Sequence, residues 1–133
     1  MNRVLFKSEK QDWTTPADVY DGLNAEFHFM FDPCIPNPQW GQDGLVIPWH
    51  SPAFVNPPYA DIARWVRKAH AEWKRGLTVV LLIPSRTDTR WWHDYVMEAT
   101  EIRFIKGRLR FGGAKNAAPF PSCVVVFANL TGG

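Results

Sequence analysis

Cysteine is scarce in this chain, and the two that occur stand far apart. Cys34 and Cys123 are the only ones among 133 residues, too few for a disulfide framework and without the paired spacing of a zinc site. The four histidines, His28, His50, His70 and His93, are equally scattered, so no metal is expected. No apolar run approaches the ~18 residues of a membrane-spanning helix, and no signal peptide or lipidation motif is recognised. An excess of one charge is missing too: the formal net charge is +2, mildly basic, which does not by itself demand nucleic acid. No internal repeat or linker interrupts the chain. The expectation is one soluble, cytoplasmic domain over 1–133, with a polar, flexible arm over 1–11.

Aromatic and apolar residues are plentiful by contrast. Hydrophobic residues make up 46% of the chain, enough to fill a core. The chain is organised around Asn56-Pro57-Pro58-Tyr59, directly after the apolar run Ala53-Phe54-Val55. Two successive prolines fix φ near −65° and remove two N–H donors, so neither helix nor ladder continues through them. Asn56 and Pro57 each precede a proline and are pushed toward extended geometry. A stiff tetrapeptide at the carboxyl end of a strand is where open α/β sheets place their ligand crevice. Asn56 brings a side-chain carbonyl and Pro57 a backbone carbonyl, together able to accept both hydrogens of a planar exocyclic amine. Tyr59 offers a face for stacking a base, a contact worth roughly 1–3 kcal/mol. Taken alone, the same residues also describe an ordinary proline-rich loop.

Around this stretch the chain alternates strand, loop and helix. Thr15 before Pro16 reads as an N-cap with proline at the first helical position, and Val19, Leu23 and Phe27 predict a helix over 16–26. Residues 27–31 are rich in strand formers and run into Asp32-Pro33-Cys34. No G-x-G-x-x-G follows, which excludes the dinucleotide fingerprint. Asp43-Gly44 reads as a turn whose acid can meet an adenine amino group, although an exposed Asp-Gly turn is the commoner meaning. Ile62, Trp65, Val66, Ala69 and Trp73 predict a helix over 60–75, capped by Gly76, with a cationic outer face. The unbroken apolar run 77–83 predicts a strand buried on both faces in a parallel sheet. Thr89 or Asp88 caps a further helix over 90–99; strands follow over 101–105 and 122–127, as an antiparallel hairpin at the sheet edge. The fold class is α/β, a Rossmann-like layer with helices on both faces.

The strand-Asn-Pro-Pro-Tyr motif resembles that of adenine-N6 methyltransferases that use S-adenosylmethionine. The flanking stretches resemble, in order, the phage-type DNA N-6-adenine-methyltransferase (Dam-like) family: Trp13-Thr14-Thr15-Pro16, Phe31-Asp32-Pro33-Cys34, Asp43-Gly44-Leu45, Lys106-Gly107-Arg108-Leu109-Arg110-Phe111 and Ala118-Pro119-Phe120-Pro121-Ser122. The similarity runs from Trp13 to Phe127. It implies that Asn56, Pro57, Pro58 and Tyr59 hold a flipped or unpaired adenine. It further implies that Trp13, Thr15 and Pro16 approach the methionine part of the cofactor, that Asp32, Pro33 and Cys34 line it, and that Asp43 meets its adenine. Arg64, Lys68, Arg86, Lys106, Arg108, Arg110 and Lys115 are then DNA contacts, with Phe111 a second aromatic contact. Two departures stand out. The glycine-rich first motif is missing, and Asp32 lies too close to Asn56 for the usual intervening strand-helix units, so a reduced methyltransferase sheet is expected. No target-recognition domain is visible, which leaves specificity to loops or to a second subunit, as monomer or homodimer. The resemblance further implies a phage or prophage gene acting in the bacterial cytoplasm, with DNA as partner and no membrane. The motif is equally compatible with cytosine N4, RNA adenine, a protein glutamine, or nucleic-acid binding without catalysis.

Overall fold

Alternate side chains of a strand point to opposite faces of its sheet, and the two central strands of this protein are buried on both. In the computed structural model, which describes residues 14–34, 43–112 and 116–129, four strands form one mixed sheet. They are β1 (Ala53–Val55), β2 (Val79–Pro84), β3 (Glu101–Phe104) and β4 (Ser122–Phe127), in the order β1-β2-β4-β3. β1 and β2 run parallel, with Val55 level with Leu81. β4 lies antiparallel to β2, pairing Ser122 with Pro84, and β3 lies antiparallel to β4 at the edge. The parallel neighbour expected for β2 is β1, and the last two strands pair antiparallel as expected, but β4 lies inside the sheet, where it also flanks β2. An apolar run reports burial on two faces, not the direction of its neighbours.

Helices cover both faces. On one, Val55, Leu81, Ile83 and Val125 pack with Trp65, Val66 and Ala69 of α2 (Ile62–Lys74) and with Trp91 and Trp92 of α3 (Arg90–Asp94). On the other, Phe54, Val80, Leu82 and Val124 pack with Leu23 of α1 (Ala17–Phe27) and with Phe111 and Phe120. α2 is entered through a 3-10 turn over Tyr59–Asp61. It ends in a Schellman motif: Leu77 N–H reaches Glu72 O at 3.1 Å, Gly76 N–H reaches Trp73 O at 2.9 Å, and Gly76 sits at φ 118°.

Three local expectations change. The segment 27–31 forms no strand ladder, only a bridge from Phe31 to Ala53; Pro33 lacks the N–H that would extend it. The helix over 90–99 stops at Asp94 and resumes as a 3-10 turn over Val96–Glu98. Trp91, Trp92 and Val96 are all buried, and a straight helix points neighbours roughly 100° apart, so the backbone bends to bury them together. Thr89 caps α3 as expected, its hydroxyl accepting from Trp92 N–H at 3.2 Å. Thr15, by contrast, does not cap α1: Pro16 holds the N-cap position, and no side chain bonds there. Among the described residues no helix is long and apolar enough to cross a membrane. The arm over 1–11, Trp13 and Lys115 lie outside the described residues.

The register brings four chain segments to one end of the sheet. β1 and β2 deliver Asn56 and Ser85 there, β4 begins there at Ser122, and β3 leaves there toward Lys106.

Candidate active site at the carboxyl end of the parallel strands

Asn56 follows the last residue of β1 and is only 4% exposed. Its Nδ2 donates to Thr15 Oγ1 at 2.9 Å, so the hydroxyl expected to cap α1 holds the amide instead. The bond fixes how the amide is turned, with Oδ1 buried as its accepting end. Pro57 is buried beside it and Pro58 is exposed. Thr15 is itself fixed by a neighbouring segment: Gly112 N–H donates to Thr14 O at 2.8 Å, in an antiparallel bridge between the stretch before α1 and the end of segment 106–112.

Tyr59 forms the aromatic wall. Phe120 meets it edge-on with centroids 5.2 Å apart, and Phe111 does so at 6.3 Å. Phe111 is 1% exposed, so it buttresses the tyrosine from behind. Burial pushes the Tyr59 phenol well above its ordinary range, the nearby Cys123 adding to the shift and Arg86 opposing it. Burial likewise pushes the Cys123 thiol up to about 11, against hydrogen bonding with Ser85. Both groups are therefore neutral at physiological pH. Asn56 Oδ1, Tyr59 Oη and Ser122 Oγ are buried in this otherwise apolar end, and the serine oxygen has no hydrogen-bond partner among the described residues.

Two acidic turns pack against each other. Phe31 is bridged in parallel to Ala53, so Asp32 leaves the sheet at the same end as Asn56. Asp32 Oδ1 accepts from Cys34 N–H and Asp43 Oδ1 from Leu45 N–H, each at 2.9 Å. Gly44 presses the two turns together, because a Cβ there would stand 2.1 Å from Pro33 O. Trp49 locks the arrangement: its Nε1 donates to Gly44 O at 2.7 Å, and its backbone N–H donates to the buried Glu72 at 3.2 Å. Burial pushes the Glu72 carboxyl up, but hydrogen bonds from Arg75, Lys68 and Trp49 outweigh it and hold the group below the usual carboxylate range.

The cations fall into two sets. Arg86, Lys106, Arg108 and Arg110 are exposed at this end of the sheet. Arg64 is exposed on α2 and pairs with Asp61 at 3.2 Å, whereas Lys68 is committed to Glu72 at 3.0 Å. Phe120, Trp49 and Glu72 were absent from the residues marked by sequence. Phe120 alone had a signal, since it lies within the Ala118–Ser122 stretch; the other two act through contacts 23 residues apart.

Fold and site together define an α/β protein with a buried amide, an aromatic wall and paired acidic turns at the carboxyl end of its parallel strands. More particularly, the chain belongs to the DNA N-6-adenine-methyltransferase (Dam) family, whose profile matches residues 3–129. The family's activity is methylation of DNA adenine at N6, and DNA is its substrate. No curated protein matches the chain.

Proposed function

We propose that this protein transfers a methyl group from S-adenosylmethionine to N6 of a flipped-out or unpaired adenine in DNA, on a reduced Rossmann-like methyltransferase sheet. The observation that carries this reading is the Asn56 amide, buried at the end of β1 and oriented by Thr15. Oδ1 of Asn56 and the carbonyl of Pro57 accept the two hydrogens of the adenine amine and aim its lone pair. Tyr59 stacks on the base, with Phe111 and Phe120 holding the ring upright. Fixed orientation of the reacting amine is the largest contribution available, up to about 7–11 kcal/mol in the best cases. Nitrogen would gain positive charge as it takes the methyl from the sulfonium, which would leave as a neutral thioether. The two preorganised carbonyl dipoles stabilise that charge until one amine proton is lost to solvent. The neutral phenol beside the base adds no competing charge.

The donor set around the paired turns suits the cofactor. Asp32 and Asp43 supply carboxylate acceptors for its amino and hydroxyl groups, with Pro33 and Cys34 between them and Thr15 and Pro16 on the side of the amide. When bound, S-adenosylmethionine supplies a sulfonium methyl already activated for transfer. A base inside a duplex is out of reach, so the adenine is extruded or single-stranded. Arg86, Lys106, Arg108, Arg110 and Arg64 contact the DNA backbone and make affinity salt-dependent. Lys115 extends that set in sequence, while Lys68 contributes through Glu72.

The test is transfer of radiolabelled methyl to unmethylated DNA, followed by digestion to nucleosides and chromatography. Label is expected in N6-methyladenine, and Asn56→Ala is expected to erase it while circular dichroism stays native. Label in N4-methylcytosine or in RNA would reassign the substrate. No label with no calorimetric binding of S-adenosylmethionine would leave a nucleic-acid-binding module.

A further inference from the structure

A second concentration of charge lies outside this site. α2 and α3 both begin at the carboxyl end of the sheet, after β1 and β2 respectively. Between them is a cleft of about 260 Å³ lined by Arg64, Arg67, Arg90, Trp91, Asp94 and Tyr95. Three guanidinium groups there face one carboxylate, in a protein whose net charge is only +2. Arg64 is shared with Asp61, whereas among the described residues Arg67 and Arg90 make no ion pair. Trp91 is buried and Tyr95 half-buried, so they form walls and leave the arginines as the groups that reach a ligand.

Size indicates what the cleft takes. It is smaller than the roughly 300–1,000 Å³ that encloses a whole drug-sized ligand, so it suits one group of a longer molecule. Planar guanidinium forks match phosphate oxygens in pairs. Arg64 and Arg67, one turn apart with side chains roughly 5–6 Å from each other at Cβ, also line an adjoining cleft of about 240 Å³ with Lys68 and Leu45. Consecutive cationic seats along one helix suit a polyanion with a charge at every step.

We infer that the α2–α3 cleft, through Arg67 and Arg90, seats a backbone phosphate of the DNA strand outside the base pocket. Arg67 and Arg90 carry no part of the function described above. The inference rests on that function, and adds the path of the strand: across the helix face of α2 and α3, opposite the face that carries Phe111 and Phe120.

The experiment is fluorescence anisotropy of a labelled oligonucleotide, single-stranded and duplex, titrated at several salt concentrations. For the pair Arg67→Gln with Arg90→Gln, affinity is expected to fall about tenfold on every sequence. The slope of log K against log salt is expected to shrink by about 0.7 on single strands or 0.9 on duplex, one phosphate's share. The pair Arg67→Lys with Arg90→Lys keeps the charge and is expected to keep the slope. A glutamine pair with the wild-type slope overturns the inference and leaves the methyltransferase reading standing, as does a lysine pair that loses the slope as well. Wild-type protein that binds no DNA overturns both.

Discussion

Asn56 and Thr15 lie 41 positions apart in sequence and are joined by a 2.9 Å hydrogen bond between the amide nitrogen and the hydroxyl. The bond links the segment before α1 to the tetrapeptide after β1, and it fixes how the amide is turned. Thr15→Val preserves shape and removes the acceptor, leaving a buried Nδ2 without it at a cost of about 1–3 kcal/mol. Methyl transfer is expected to slow about 10- to 100-fold, and stability to fall by about 1–3 kcal/mol. Thr15→Ser restores the hydroxyl and should recover most of the rate. Equal loss in the valine and serine variants would remove Thr15 from the positioning role.

Tyr59 is expected to act through its ring. Burial holds the phenol protonated far above neutrality, so its titration does not enter the rate between about pH 6 and 9, well below the ordinary tyrosine pKa. Tyr59→Phe should keep the rate within about threefold, whereas Tyr59→Ala loses a stacking contact worth roughly 1–3 kcal/mol. Steady-state kinetics of both variants across that pH range make the comparison. A phenylalanine variant as inactive as the alanine one would assign the hydroxyl a direct part.

Gly44→Ala tests the pairing of the two acidic turns. The added methyl meets the Pro33 carbonyl at 2.1 Å, and the Trp49 indole bond to Gly44 O resists retreat. Overpacking of this kind costs about 1–3 kcal/mol, and here it separates Asp32 from Asp43. Calorimetric titration with S-adenosylmethionine should show affinity reduced about tenfold or more. Unchanged affinity would exclude the Asp43 turn from the cofactor site.

Acid stability should depend on Glu72. Its carboxyl is held below the usual range in the folded protein, hydrogen bonds outweighing burial, against about 4.3 when unfolded. Its contribution is therefore complete above the unfolded value and is lost as pH falls through the folded one. Glu72→Gln should lower stability by about 2 kcal/mol at pH 7, with a smaller further loss between about pH 5 and 3 than wild type suffers. Urea unfolding across that range measures both. A parallel shift of the two curves would show that Glu72 does not titrate with folding.

Where the chain announced its structure, one local pattern was enough. The apolar face of α2, closed by Gly76 at a positive φ, and the unbroken run of β2 are each visible within a dozen residues. Asn56 to Tyr59 was recognisable because two prolines constrain it whatever surrounds them. What escaped was set by partners distant in sequence. Thr15 looked like a helix cap because Pro16 follows it, yet a neighbour across the fold took its hydroxyl. Segment 27–31 had strand composition but only Ala53 to pair with. The antiparallel neighbour of β2 left no trace in β2 itself, and the support that Phe120 gives Tyr59 appears only once β4 is docked.

The strand order β1-β2-β4-β3 also has a consequence for how the protein is made. As the chain leaves the ribosome, β2 finds β1 within some two dozen residues, but its other flank waits for Ser122–Phe127. Until those residues emerge, the most apolar strand of the nascent protein presents an open edge, the kind of surface that pairs with other chains. Phe120, which braces Tyr59, arrives just before that edge closes. The protein thus acquires its finished pocket and sheds its stickiest surface in the same late step of synthesis.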